Sequence, residues 1–460
     1  MTMTTLSFLG AVGTVTGSRF LLTHRGRRVL IDAGLFQGYK QVRQRNWQPL
    51  AVDPRLLDAV VLTHAHLDHS GYVPRLARQG FRGPVYATGA TCDLCELLWP
   101  DSGHLQEEDA AYANRHGFSK HKPAEPLYSV RDAELALPLL RATAWHEEFE
   151  PVAGVRMQFR RAGHILGAAS VSIELHGSKP LRLLFSGDVG RPHDLLMKPP
   201  EPPCDSDVLV IESTYGDRTH ADIDRLAELA EPLKRVISRG GVAVVPVFAV
   251  GRAQLLLHLI ATLKQSGALP AHLPVFLDSP MAIDATTLYT RHHNEHRLTP
   301  EQCKALARTA KWLRTPEDSK SLAKLHGPMV ILSASGMATG GRVLHHLKLY
   351  LPSSRNMVLL TGYQAPGTRG ASLQAAAPSV RIHGEDIAVK AEVVSLESLS
   401  AHADSNELLA WVRQCPKLPA RSFIVHGEPA AADAMRQRLE RELNINVEMP
   451  EQGETVQLLP

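Results

Sequence analysis

Short apolar runs bounded by glycine or polar turn residues recur along the chain: RRVLIDAG, LDAVVLTHAH, VRMQFRRAGH, LRLLFSGD, DVLVIE and RSFIVHGE. Runs of this length predict buried strands rather than helices. Each stops on a histidine or an acid: Asp32, His64 with His66, His164, Asp188, Glu212 and His426. One acid at a strand end is ordinary turn chemistry. Repeated endings of this kind predict convergence on one site, because a sheet aligns its strand ends along one edge.

The densest ending is VVLTHAHLDHSGYVP, residues 60 to 74, where His64, His66, Asp68 and His69 crowd together. Imidazole and carboxylate are the nitrogen and oxygen ligands of borderline cations such as zinc, and crowding them is costly without a positive ion among them. The segment after His66 reads as the start of a helix, which would present Asp68 and His69 from its first turn. With His164, Asp188 and His426 the set numbers seven, about right for two zinc ions sharing one carboxylate. Between Asp188 and His426 lies far more chain than a connection within one domain needs. It alternates helical patterns, RLAELAEPLKRVI and GRAQLLLHLIATLK, with apolar runs, VAVVPV, LPVFLD, PMVILSAS and NMVLLTGY. That alternation predicts βα units and a parallel sheet, hence a second α/β domain inserted into the first.

Composition narrows the partners. The 460 residues are 44% hydrophobic and 21% charged, which predicts a globular chain. A net charge of +3 permits an anionic partner without arguing for one, so any attraction for phosphates must be local. Aromatics make up only 5%, which favours backbone tracking over base stacking. The N-terminus lacks a basic stretch before its apolar residues and does not read as a secretory signal, and no apolar run is long enough to span a membrane. An odd number of cysteines, five, predicts a reducing cytoplasm. Cys92 and Cys95 form a CxxC with no second pair downstream, and read as buried helix residues.

HxHxDH followed by a lone His, a lone Asp and a distant His resembles the metallo-β-lactamase superfamily. The phrases IESTYGDR, PVFAVGRAQ, LDSPMA, SASGMATGGR, GYQAPGTRG, LSAHAD and IVHGE resemble the β-CASP nucleases over essentially the whole chain. They are most similar to bacterial and archaeal relatives of the mRNA 3′-end-processing endonuclease. The resemblance implies an α/β fold: an αββα sandwich, residues 1–208 and 396–460, with an inserted α/β (β-CASP) domain, 209–395, and an RNA-metabolising tail. It implies that His64, His66 and His164 hold one zinc and Asp68, His69 and His426 the other, with Asp188 bridging and Asp32 orienting the ligand loop. Chemistry falls to Asp68, Glu212 and His402, with His402 as general acid supported by Glu212. Ser335 and Gly336, expected at a helix start, and Arg252 would contact substrate phosphate. Leu255, after GRAQ, stands where many relatives carry an acid and is expected to alter local polarity.

The function implied is zinc-dependent hydrolysis of single-stranded RNA in the cytoplasm, giving 5′-phosphate and 3′-hydroxyl ends. Endonuclease and 5′-exonuclease action both stay open, as does a homodimer. The rival readings are a catalytically silent RNA-binding subunit, disfavoured because no ligand is missing, and a small-substrate hydrolase, disfavoured by the size of the insert.

Overall fold

Alternate residues of the central strands bury themselves in opposite directions. In Leu181–Phe185, Leu183 and Phe185 enter one apolar cluster while Leu184 enters another; in Val208–Ile211, Val208 and Val210 part from Leu209 and Ile211 in the same way. A strand apolar on both sides needs cover on both faces, and a two-sheet sandwich with outer helices supplies it. The computed structural model describes residues 4–459 apart from 118, 178 and 397.

One seven-stranded sheet runs in the order Thr455–Leu459, Thr4–Phe8, Phe20–His24, Arg27–Ile31, Ala59–Val61, Val85–Thr88, Leu140–Thr143. The other runs Val447–Glu448, Arg421–Ile424, Val208–Ile211, Leu181–Phe185, Ala169–Leu175, Val155–Arg161, Glu148–Val152. Phe8, Phe20, Ile31 and Val61 of the first meet Phe159, Val171, Phe185 and Phe423 of the second in one core. Helices Ser405–Val412 and Pro429–Leu443 cover the outer face of the second sheet through Leu408, Trp411, Met435 and Leu439.

The chain divides into two compact units, Met1–Thr219 with His402–Pro460, and His220–Ala401. A boundary at 208/209 therefore falls too early. Val208–Ile211 pairs in parallel with Leu181–Phe185 on one side and Arg421–Ile424 on the other, so DVLVIE completes the sandwich before the chain leaves it. The second unit holds a six-stranded sheet ordered Lys311–Trp312, Val275–Asp278, Met329–Ser333, Val242–Pro246, Met357–Leu360, Glu392–Ser395, with every neighbouring pair parallel. Among its helices are Arg225–Ser238, Arg252–Gln265 and Val343–Tyr350, as βα alternation requires. Cys92 and Cys95 are buried in helix Gly89–His116, and no helix among the described residues is long and apolar enough to cross a membrane.

Candidate metal centre

The histidine motif sits where Ala59–Val61 ends, followed by a single helical turn, Leu67–Ser70. Gly71 and Tyr72 separate that turn from helix Val73–Arg78, so Asp68 and His69 lie on a short, separately anchored piece. Gly34 makes the anchoring possible: a Cβ there would stand 1.6 Å from the Asp68 carbonyl oxygen. Ala33 N–H donates to His69 O at 2.7 Å and Leu35 N–H to Leu67 O at 2.8 Å. A second close approach joins the loops carrying His164 and Asp188, since a Cβ at Gly190 would meet Gly163 O at 2.0 Å. Two non-glycine residues at the site, Asp32 and His426, hold left-handed backbone at φ 56° and 50°, a costly conformation that concentrates at functional sites.

These loops bring the predicted ligands into two groups. His64 Nε2 and His164 Nε2 each lie 3.2 Å from His66 Nδ1, and 3.5 and 3.7 Å from Asp188 Oδ2. Opposite them, His69 Nε2 lies 3.1 Å from His426 Nε2 and 3.3 Å from Asp188 Oδ1, and His426 Nε2 is 3.5 Å from Asp68 Oδ2. The two oxygens of Asp188 thus face different groups.

The residues around the imidazoles settle which nitrogens face inward. Thr63 Oγ1 gives its one proton to Asp32 Oδ2 at 2.8 Å, so at 3.1 Å from His64 Nδ1 it accepts. That leaves the His64 lone pair on Nε2, toward the group. Thr214 Oγ1 holds the His426 ring from the side, 3.1 Å from Nδ1 and 3.4 Å from His426 O. Asp32 takes His69 Nδ1–H at 2.7 Å and is itself held by Thr63 N–H at 2.7 Å. Sequence reasoning placed Asp32 and missed Thr63 and Thr214, although both stand inside the quoted phrases LTHAH and IESTYGDR.

A cation fits this arrangement on two grounds. A tetrahedral ion with nitrogen bonds near 2.0–2.1 Å sets its ligand atoms about 3.3 Å apart, close to the spacings above. Moreover, Asp188 Oδ1, buried and facing the second group, has no hydrogen-bond partner of good geometry among the described residues. The titration behaviour of the first group agrees, whereas at His69 burial is outweighed by Asp188 and Asp32, which raise it well above the ordinary value, so that an ion there would displace a proton. Burial pushes His64 and His164 well below the ordinary histidine value and His66 down to about 4, which favours the neutral form a ligand needs. Burial opposes the charge on Asp188 and Asp68 too, but neighbouring imidazoles outweigh it and hold both below the carboxylate range.

Beside the groups stands the third pair. Glu212, at the end of its strand, accepts Val189 N–H at 2.6 Å and Thr214 N–H at 3.2 Å, and lies 3.2 Å from His402 Nδ1. His402 is fixed by a bridge to Gly190, and its Nε2 is 4.0 Å from Asp188 Oδ2. Burial works against the His402 cation, yet the Glu212 and Asp188 carboxylates prevail and its pKa is raised.

The second unit gathers the remaining predicted residues about Phe248. A Cβ at Gly336 would stand 2.6 Å from the Phe248 ring, and one at Gly362 would meet both that ring, at 3.5 Å, and Arg252 Nε, at 3.8 Å. Ser335 Oγ lies 2.9 Å from Thr339 Oγ1. The expectation that Ser335 and Gly336 open a helix is corrected: the helix begins only at Val343, and residues 334–342 form a loop because their glycines and small residues carry no helix-forming run. Leu255 is buried in helix Arg252–Gln265.

Comparison with known proteins gives a consistent set of likenesses. The Beta-lactamase superfamily domain matches residues 27–239, the Beta-Casp domain 253–373, and the Zn-dependent metallo-hydrolase RNA specificity domain 386–450. The chain is 40% identical to a ribonuclease of Thermus thermophilus, covering 91% of this chain and 92% of that protein. It is 31% identical to an RNase J-like protein of Methanocaldococcus jannaschii, over 94% of both. A transcription termination factor of Methanosarcina mazei is 31% identical over 98% of this chain and 71% of its own length. A crystal structure of an Enterococcus faecalis protein of unknown function covers 99% of this chain with a TM-score of 0.52 and 14% identity, a likeness of fold.

Proposed function

This chain belongs to the β-CASP family of metallo-β-lactamase-fold ribonucleases, metal-dependent hydrolases, and we propose that it cuts single-stranded RNA with two zinc ions per chain. The observation that carries the reading is the pair of donor groups facing the two oxygens of Asp188. His64, His66, His164 and Asp188 would hold one ion, and Asp68, His69, His426 and Asp188 the other. Bound there, the metal supplies an activated water and offsets the negative charge that grows on phosphorus.

The protein's own groups do the rest. Asp32 and Thr63 hold His69 and His64 with Nε2 aimed inward and Thr214 steadies the His426 ring, so the ligand set is ordered before metal arrives. His402, kept protonated by Glu212 on Nδ1, has Nε2 on the opposite side of its ring, toward the donor groups. From there it gives its proton to the departing 3′ oxygen, and a 5′-phosphate and a 3′-hydroxyl remain. His64, His164 and Asp188 are at most 3% exposed, so the scissile phosphodiester must reach inward, which a flexible single strand does more readily than a duplex. Ser335, Gly336 and Arg252 are the phosphate contacts of the second unit in this reading. All five cysteines are free thiols, which fits a cytoplasmic setting.

The test is direct. Purified active protein is expected to hold about two zinc ions, and RNA labelled at either end to yield 5′-phosphorylated products, with blunt duplex cut far more slowly. Full activity without transition metal, or equal cleavage of duplex and single strand, would sink the proposal. The ladder from the two labels separates internal cutting from stepwise removal at the 5′ end.

A further inference from the structure

Many surface arginines of this protein are paired with acids: Arg27 with Asp58, Arg55 with Asp53, Arg235 and Arg239 with Glu392, Arg421 with Glu448, Arg436 with Asp433 and Glu440. One stretch combines unpaired cations with exposed aromatic rings. From Ala33 to Val52 there is no acidic residue, and Lys40, Arg43 and Arg45 have no carboxylate partner among the described residues. The same stretch carries Tyr39 and Trp47, 57% and 52% exposed, the only Phe, Tyr or Trp side chains among the described residues that stand out in solvent.

Local structure puts these groups together. Helix Lys40–Gln44 runs into a tight turn, Arg45–Trp47, so Lys40, Arg43, Gln44 and Trp47 follow the spacing of one helix face, with Tyr39 one residue before the first turn. The face is held rigidly from behind. Asn46, buried, accepts Phe36 N–H at 2.9 Å and returns a bond to Phe36 O at 2.8 Å, while Arg19 binds both Gly34 O and Asn46. Arg75 lies 5.9 Å from the Trp47 ring centroid. Leu35 is hydrogen-bonded to Leu67, the neighbour of Asp68, and Tyr39 is four residues further on, at most about 14 Å of extended chain.

An aromatic left half in water costs hydrophobic free energy, and like charges left unpaired repel, so nothing in folding alone favours this face. Single-stranded nucleic acid uses both features: bases stack on sequence-tolerant aromatic planes while cations follow the phosphates. We propose that Tyr39, Lys40, Arg43 and Trp47 form a stacking platform that grips the RNA strand on one side of the scissile bond. The proposal rests on the ribonuclease reading and adds a binding surface, outside the metal ligands, that governs how long a substrate is held well. It also revises the expectation that scarce aromatics favour backbone tracking over base stacking, because the two aromatics exposed among the described residues flank this one short cationic segment.

The experiment compares uridine oligomers graded in length, cut by the zinc-loaded full chain. For long oligomers, Trp47→Ala and Tyr39→Ala should each raise KM by about tenfold with kcat kept, and Trp47→Phe should restore most of it. Lys40→Gln with Arg43→Gln should reduce the salt dependence of binding by a log–log slope of about 1.4. For oligomers too short to reach the platform, all variants should match the parent, which also shows that the metal site is intact. Unchanged KM on long RNA, an equal loss on short and long RNA, or dissociation of an oligomer by Trp47→Ala, which would make the face a contact between copies, would each overturn the platform. Absence of RNA cleavage by the parent itself would instead overturn the ribonuclease reading.

Discussion

Two buried clusters of acids and histidines, one in each compact unit, are built on opposite principles. In the second unit, Asp278 is fully buried; its Oδ1 accepts Arg342 at 2.8 Å, and its Oδ2 accepts His346 Nε2 at 2.7 Å and the Ser319 hydroxyl. Arg342 gives two further protons to Leu313 O and Arg314 O. Both oxygens of Asp278 are thus met by donors. In the first unit, ring nitrogens of His64, His66 and His164 converge at 3.2 Å, and Asp188 faces five imidazoles. The Asp278 cluster neutralises itself and fixes the strand Val275–Asp278 to the helix Val343–Tyr350. The Asp188 cluster is complete only with an added cation, which is what separates a binding site from a structural network.

The comparison breaks most visibly at Asp188. Asp188→Ala should remove metal from both groups at once and take essentially all nuclease activity with it, measured by metal analysis and turnover on single-stranded RNA. Retention of one full zinc equivalent would show that the carboxylate does not join the groups.

His402 comes next in size. It lies beside the donor groups but is not needed to complete either, so His402→Ala should keep zinc and RNA affinity while slowing turnover by about 10²- to 10⁴-fold. Glu212→Gln should give part of the same loss, and the double variant little more than the worse single one, because the pair acts as a unit. An RNA with a leaving group that needs no proton should rescue the alanine variant. Loss of zinc in that variant would move His402 among the ligands.

In the second unit the expected effect is on stability alone. Asp278→Ala strands Arg342 and His346 without their carboxylate and should cost about 3–5 kcal/mol, read by denaturant unfolding, with zinc content unchanged. Chelation should lower the stability of the parent but leave the increment due to Asp278 as it was. If chelation and Asp278→Ala had interdependent effects, the two clusters would not be independent.

The smallest effect is the pH dependence of that increment. Burial alone would raise the Asp278 pKa, but the bonds from His346, Ser319 and Arg342 outweigh it and hold it below 3.8. A depressed carboxylate contributes stability that is fully present above its unfolded value and is lost as pH falls through the folded one. The difference in stability between the parent and Asp278→Asn should therefore stay level above pH 3.8 and shrink only below it. A difference that shrinks on the alkaline side would contradict the assignment.

The alternation of apolar runs and the residues that end them were legible in the chain itself. A strand's period of two and the sharp stop of each run are local properties, so Asp32, His64, His164, Asp188, Glu212 and His426 could be placed at sheet ends before any coordinates. The HxHxDH spacing likewise carries its chemistry within six residues. Where a run served two neighbours, as Val208–Ile211 does, local pattern could not tell which unit would claim it; pairing with Arg421–Ile424, far along the chain, decided that. Ser335 and Gly336 read as a helix start because small residues followed a strand, yet the helix waits until Val343. Only the folded chain could select Thr63 as the hydroxyl that sets the His64 tautomer and Thr214 as the one beside His426, or turn the two oxygens of Asp188 to different groups, since these are matters of direction at the scale of one hydrogen bond. Tyr39 and Trp47 are two aromatics among many in the sequence; exposure, which depends on what the rest of the fold leaves uncovered, is what sets them apart.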